Sequence, residues 1–111
     1  MGAAPDPRLD GALRALADAN RRTILDSIRA HPRAVGAIAD AVGLSQQTTS
    51  HHLGVLREAG LASVQREGTR HLYVVSTDGL AAVKSYLDDF WPQQLSALKA
   101  AVEGRGEAPR G

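Results

Sequence analysis

Up to about residue 60, apolar residues recur at steps of three and four; the period then changes, and it returns to threes and fours after residue 76. Such steps place one apolar stripe on each of a series of helices. Leu9, Leu13 and Leu16 follow Asp6-Pro7, an N-cap with proline at the first helical position. Asp18 caps a second helix carrying Ile24, Leu25 and Ile28, predicted to run until His31-Pro32. Val35, Ile38, Ala39 and Val42 form a short third helix that stops at Gly43; Ala34, ahead of it, offers no capping acceptor. Ser45 caps a fourth helix predicted to reach about Ala59, with Thr49, Leu53 and Leu56 inward and Gly60 behind it. Residues 61–67 and 70–75 read as two strands around Gly68-Thr69, a hairpin. Ser76 or Thr77 then caps a last helical stretch whose stripe runs through Leu80, Val83, Leu87, Trp91, Leu95, Leu98 and Val102. Pro92 lies inside that stripe and predicts one helix bent near Asp88.

The expected fold is therefore mainly α with a small β-hairpin. Two short helices joined by a turn of about three residues containing glycine are the helix-turn-helix pattern, and the hairpin behind them is a wing. Residues 1–103 are expected to form one domain. Residues 104–111 have no apolar periodicity and read as a disordered tail.

Composition narrows the chemistry. The 111 residues contain no cysteine, which excludes disulfides, thiolate metal sites and cysteine nucleophiles. No aliphatic run approaches the length of a membrane span, and no basic, apolar leader opens the chain, so a cytoplasmic location without a membrane partner is expected. Thirteen basic residues against twelve acidic ones do not announce nucleic acid. Their distribution is slightly uneven, with nine Lys or Arg against seven Asp or Glu in residues 1–72 and two against four in residues 73–103. A difference of this size decides nothing by itself.

The start of the fourth helix says more. Once Thr49 and Leu53 are assigned inward, Gln46, Gln47, Ser50 and His51 remain on the outer face. A solvated helix face normally carries Glu and Lys, and none occurs between Ser45 and Val55. Glutamine can bond adenine through two hydrogen bonds, serine suits a donor or an acceptor, and histidine reaches a base edge or a phosphate. Catalytic patterns are missing: there is no phosphate loop, nucleophile elbow or carboxylate pair at working spacing. His51 and His52 are adjacent, so on a helix they diverge by about 100° and cannot share one metal ion; His52 is expected beside the core with its polar tip satisfied locally.

The segments Leu16-Ala-Asp-Ala-Asn-Arg-Arg-Thr-Ile-Leu25, Val35-Gly-Ala-Ile-Ala39, Leu44-Ser-Gln-Gln-Thr-Thr-Ser-His-His-Leu53, Val55-Leu-Arg-Glu-Ala-Gly-Leu61 and Arg66-Glu-Gly-Thr-Arg-His-Leu-Tyr73 together resemble the ArsR/SmtB family of bacterial repressors. The resemblance covers about residues 12 to 100. It implies a winged-helix homodimer that binds double-stranded operator DNA at a pseudo-palindrome and releases it when an effector binds. It implies DNA contacts from Gln46, Gln47, Ser50 and His51, a further one near Val35, and phosphate or minor-groove contacts from Arg66 and Arg70. The familiar metal motifs of the family are absent, since residues 35–41 read Val-Gly-Ala-Ile-Ala-Asp-Ala and residues 77–103 contain no histidine. The chain thus resembles the non-metal branch, whose last helix carries a pair such as Phe90-Trp91. No cofactor and no metal are expected, and any effector would be organic.

The first and last helices carry stripes wider than one small domain can cover, so Leu9, Leu13, Leu87, Phe90, Trp91, Leu95 and Leu98 are assigned to a dimer interface. A winged helix used as a protein-interaction module without DNA is the alternative function. The uncharged outer face of the fourth helix favours DNA.

Overall fold

Side-chain acceptors at the helix starts set the boundaries of three of the five helices between residues 6 and 91 in the computed structural model, which describes residues 6–91 and 101–103. Helix α1 (Pro7–Leu16) opens with the Asp6 carboxylate accepting from the Arg8 amide at 3.0 Å. Helix α2 (Ala19–Ser27) opens with the Asp18 carboxylate accepting from the Asn20 and Arg21 amides at 2.8 and 3.2 Å. Helix α4 (Gln46–Glu58) opens with Ser45 Oγ accepting from the Thr48 amide at 3.0 Å. Each acceptor satisfies amides that have no partner inside their own helix. Helix α3 (Val35–Val42) has no side-chain cap, as Ala34 predicts.

Two helix ends differ from the sequence expectation. Helix α2 stops at Ser27 rather than at His31-Pro32. Side chains take its last carbonyls: Ser27 Oγ donates to Ile24 O at 2.6 Å and Arg33 Nε to Ser27 O at 2.6 Å. The Ile28 amide turns back to Leu25 O, three residues behind, and the α-helical ladder ends there. Helix α5 (Asp78–Asp88) ends where a bend was expected. Tight bonds from Phe90 N to Leu87 O and from Trp91 N to Asp88 O close it. Pro92 follows in the sequence, and in a continuing helix its ring would crowd the Asp88 carbonyl. The continuation through Pro92, including Leu95 and Leu98, and the segment 104–111 lie outside the described residues.

The start of α5 falls where expected, with Thr77 at the cap position. Thr77 makes no side-chain bond there, but Ser76 Oγ accepts from the Asp78 amide at 3.5 Å. A tertiary contact supplies a further acceptor, because the Gly79 amide donates to Gly60 O at 2.8 Å.

Strands β1 (Ala62–Glu67) and β2 (Arg70–Val75) pair antiparallel, with Arg66 opposite His71 and Glu67 opposite Arg70. Of the two turn residues Gly68 and Thr69, only Gly68 takes a positive φ, +65°, the pattern of a two-residue hairpin with glycine first. A short bridge extends the hairpin: Arg33 and Tyr73 exchange backbone hydrogen bonds at 3.2 and 2.7 Å, which ties the segment leading into α3 to the wing. Ile24, Ile28, Ile38, Leu53, Leu56 and Leu61 form the core with Ala12, Ala15 and Ala62, so α1 to α4 and the base of the wing share one interior.

Candidate nucleic-acid interface

Gly43 decides how α3 meets α4. Its φ of +75° is in the left-handed region, and its amide and that of Leu44 both donate to Ala39 O, at 2.9 and 3.1 Å. This closure turns the chain sharply within residues 43–45. Leu44 then packs against the core, and Ser45 starts α4.

On α4 the inward set is Thr49, His52, Leu53 and Leu56, all buried. The Thr49 hydroxyl donates to Ser45 O at 2.8 Å and so buries no unpaired polar group. Gln46, Gln47, Ser50 and His51 are all exposed, together on the opposite side of the first two turns. Thr48 is also exposed, but its hydroxyl accepts from Ser45 Oγ at 2.9 Å and belongs to the cap. The structure therefore brings four of the candidate residues onto one uncharged, solvent-facing surface.

Val35 is different. It is the first residue of α3, and its side chain packs against the core, so what it offers outward is the amide end of an uncapped helix.

Arg66 and Arg70 sit on the wing and are exposed. Sequence reasoning missed their neighbours. Arg66 lies cross-strand from His71, and Arg70 is 3.8 Å from the Glu67 carboxylate. Both pairings follow from the two-residue turn at Gly68-Thr69, so the register was available as a signal.

His52 has a polar partner from another helix. Arg21 Nη1 lies 3.3 Å from its Nδ1, and the His51 and His52 ring centroids are 5.6 Å apart. Arg21 also faces Asp18 at 3.8 Å. The Asp18 carboxyl is held below its ordinary value, first by the Arg21 amide that donates to it; desolvation opposes this, and the Arg21 guanidinium and the Asn20 amide add to the lowering.

Leu9 is half-buried, and Leu13, Leu87, Phe90 and Trp91 are exposed on α1 and just after or on α5. Tyr86 and Phe90 stack edge to face with centroids 5.0 Å apart. Among the described residues no three His, Cys, Asp or Glu side chains are grouped to hold a metal ion, and no helix is long and apolar enough to cross a membrane.

Known proteins share this arrangement. A helix-turn-helix domain family model matches residues 16–65. The chain is similar to the HTH-type transcriptional regulator Rv2034 of Mycobacterium tuberculosis, 37% identical over 98 residues, covering 88% of this chain and 92% of that one. It is also similar to the transcriptional repressor SdpR of Bacillus subtilis, 32% identical over 69 residues, covering 62% of this chain and 77% of the other. Among solved structures, the homodimeric winged helix-turn-helix DNA-binding domain Mb0332 of Mycobacterium bovis, described as a possible ArsR-family transcriptional regulator, superposes with a TM-score of 0.61 at 32% identity, covering 83% and 94% of the two chains.

Proposed function

The chain belongs to the ArsR family of winged helix-turn-helix transcriptional regulators, and from that premise we propose that it is a homodimeric repressor reading a pseudo-palindromic operator. It acts by binding rather than by catalysis. The observation that carries this reading is the exposed, uncharged face of α4, where Gln46, Gln47, Ser50 and His51 stand over a buried row of Thr49, His52, Leu53 and Leu56. Short polar side chains at the start of a recognition helix are what base edges in the major groove can be read with. Arg66 and Arg70 on the wing then hold phosphate or enter the minor groove, and the amide end of α3 at Val35 meets the backbone.

The dimer is supported by exposed apolar surface. Leu13, Leu87, Phe90 and Trp91 are 42 to 59% exposed, and Leu80, Val83, Leu87 and Trp91 line a concavity of about 590 Å³ on α5. Apolar groups gathered in this way fit a protein partner, and the homodimeric relative indicates a second copy of the chain. Control of the repressor falls either to an organic effector or to the protein's own level through its own promoter.

Selection of duplexes from a random pool by the full chain, followed by gel shifts, tests the reading. The selected duplex should contain two related half-sites and bind at least a thousandfold tighter than its scrambled version, a ratio of roughly the size specific DNA-binding proteins reach. Binding to both should weaken with salt. A pool that yields no enriched sequence, or a scrambled duplex bound equally well, would overturn it.

A further inference from the structure

We propose that Arg21 and His52 form a positioning pair that fixes the roll of α4 and so aims Ser50 and His51 at DNA; the role rests on the DNA-reading function above. Arg21 is near the start of α2, and its side chain is only 15% exposed. Its Nε donates to Ala15 O at 2.8 Å and its Nη2 to Arg14 O at 3.3 Å, carbonyls in the last turn of α1, of which Arg14 O also accepts from the Ala17 amide. Its Nη1 faces His52 Nδ1 at 3.3 Å and Asp18 Oδ2 at 3.8 Å. One guanidinium thus joins the end of α1 and the cap of α2 to the recognition helix.

The chemistry of that contact is one-sided. A guanidinium carries donors only, so His52 Nδ1 must accept, and the single proton of the ring lies on Nε2. Among side chains, the buried Leu53 and Leu56 that also seat α4 make apolar contacts with no preferred direction. A helix seated by such contacts can roll. A roll of about 10° moves a side-chain tip on the rim of a helix by about 1 Å, and a hydrogen bond to a base edge does not survive a shift of that size. The Arg21–His52 bond is directional and opposes the roll. Its effect reaches the DNA face directly, because the His51 ring packs beside the His52 ring at 5.6 Å and a tilt of 53°.

Two measurements on the full chain test the pair. In long-range proton–nitrogen spectra of protein labelled at histidine nitrogen, His52 should be the Nε2–H tautomer at neutral pH, whether or not DNA is present. An Nδ1–H tautomer would overturn the contact. Gel shifts with the duplex selected by the wild-type chain and its scrambled version supply the second readout. Arg21→Gln and His52→Leu should each lower the selected-to-scrambled affinity ratio by about tenfold, the size expected from losing one hydrogen bond to a charged group. Scrambled-duplex affinity and sedimentation should stay unchanged. His52→Asn, whose amide oxygen can stand where Nδ1 stands, should keep the ratio within about twofold of wild type. A ratio unchanged in His52→Leu, or lost equally in His52→Asn, would overturn the positioning role; these two variants decide even if Arg21→Gln does not fold. A wild-type chain that selects no duplex would instead remove the DNA-reading premise, with the tautomer still reporting on the contact.

Discussion

Gln47 and Ser50 on α4 and Arg70 on the wing differ in what they can recognise. The first two offer hydrogen bonds to base edges, and Arg70 offers charge. Replacing Gln47 or Ser50 by alanine should cost on the order of 1–3 kcal/mol on a selected duplex and little on a scrambled one. Arg70→Ala should weaken both and reduce the slope of log affinity against log salt by about one. Gel shifts on both duplexes across a salt series separate the two behaviours, and equal losses for Gln47→Ala would remove it from the reading face. Asp18 carries the pH dependence at this scale. Its folded carboxyl titrates below its ordinary value because the Arg21 amide and guanidinium favour the charged form. The unfolded chain therefore takes up the proton first, and the stabilisation is complete above about pH 4 and lost as pH falls through the lower folded value. Asp18→Asn should melt below wild type at pH 7, and calorimetry should find the gap closing as the pH is taken from 4 towards 2.

Between elements, the backbone of α5 comes close to the turn after α4. A Cβ on Gly79 would lie 2.4 Å from Ala59 O and 3.1 Å from Gly60 O. Backbone cannot yield there as a flexible side chain would. Gly79→Ala should cost on the order of 1–3 kcal/mol in a urea melt, as overpacking does. Gly54, inside α4, has nothing within 4 Å of the same virtual atom. Gly54→Ala should stabilise by roughly 0.5–1 kcal/mol, the helical advantage of alanine over glycine. A Gly79→Ala chain as stable as wild type would show that α5 can move off the Gly60 turn without loss. The bridge between Arg33 and Tyr73 works in the same way, holding the start of α3 against the wing so that the two candidate DNA-facing elements keep one relative orientation.

At the scale of the whole molecule, α1 packs against α5, and the two leave Leu13, Leu87, Phe90 and Trp91 largely uncovered. In a dimer closed through this surface the two α4 helices would meet DNA about one helical turn, roughly 34 Å, apart. Leu87→Glu should place an unpaired charge in the apolar interface, a cost of several kcal/mol. Sedimentation velocity at micromolar concentration should then find a folded monomer that has lost the selected duplex. A wild-type chain that sediments as a monomer at that concentration would refute the dimer.

The sequence by itself determined the helices, the wing and the outward set on α4. Those features depend on neighbours a few residues away: Asp6, Asp18 and Ser45 as caps, Gly43 as a left-handed stop, and the three-and-four spacing that puts Thr49, Leu53 and Leu56 on one side. Where the end of α2 was misread, a distant residue had taken over a local hydrogen bond. Arg33 takes the last carbonyl of α2. The tertiary structure alone decided the partner of His52, which lies 31 residues away on another helix. It also decided which apolar side chains of α1 and α5 remain uncovered. Periodicity tells a side chain which way to face, but a hydrogen bond between helices exists only after the packing of the core has brought its two ends within reach.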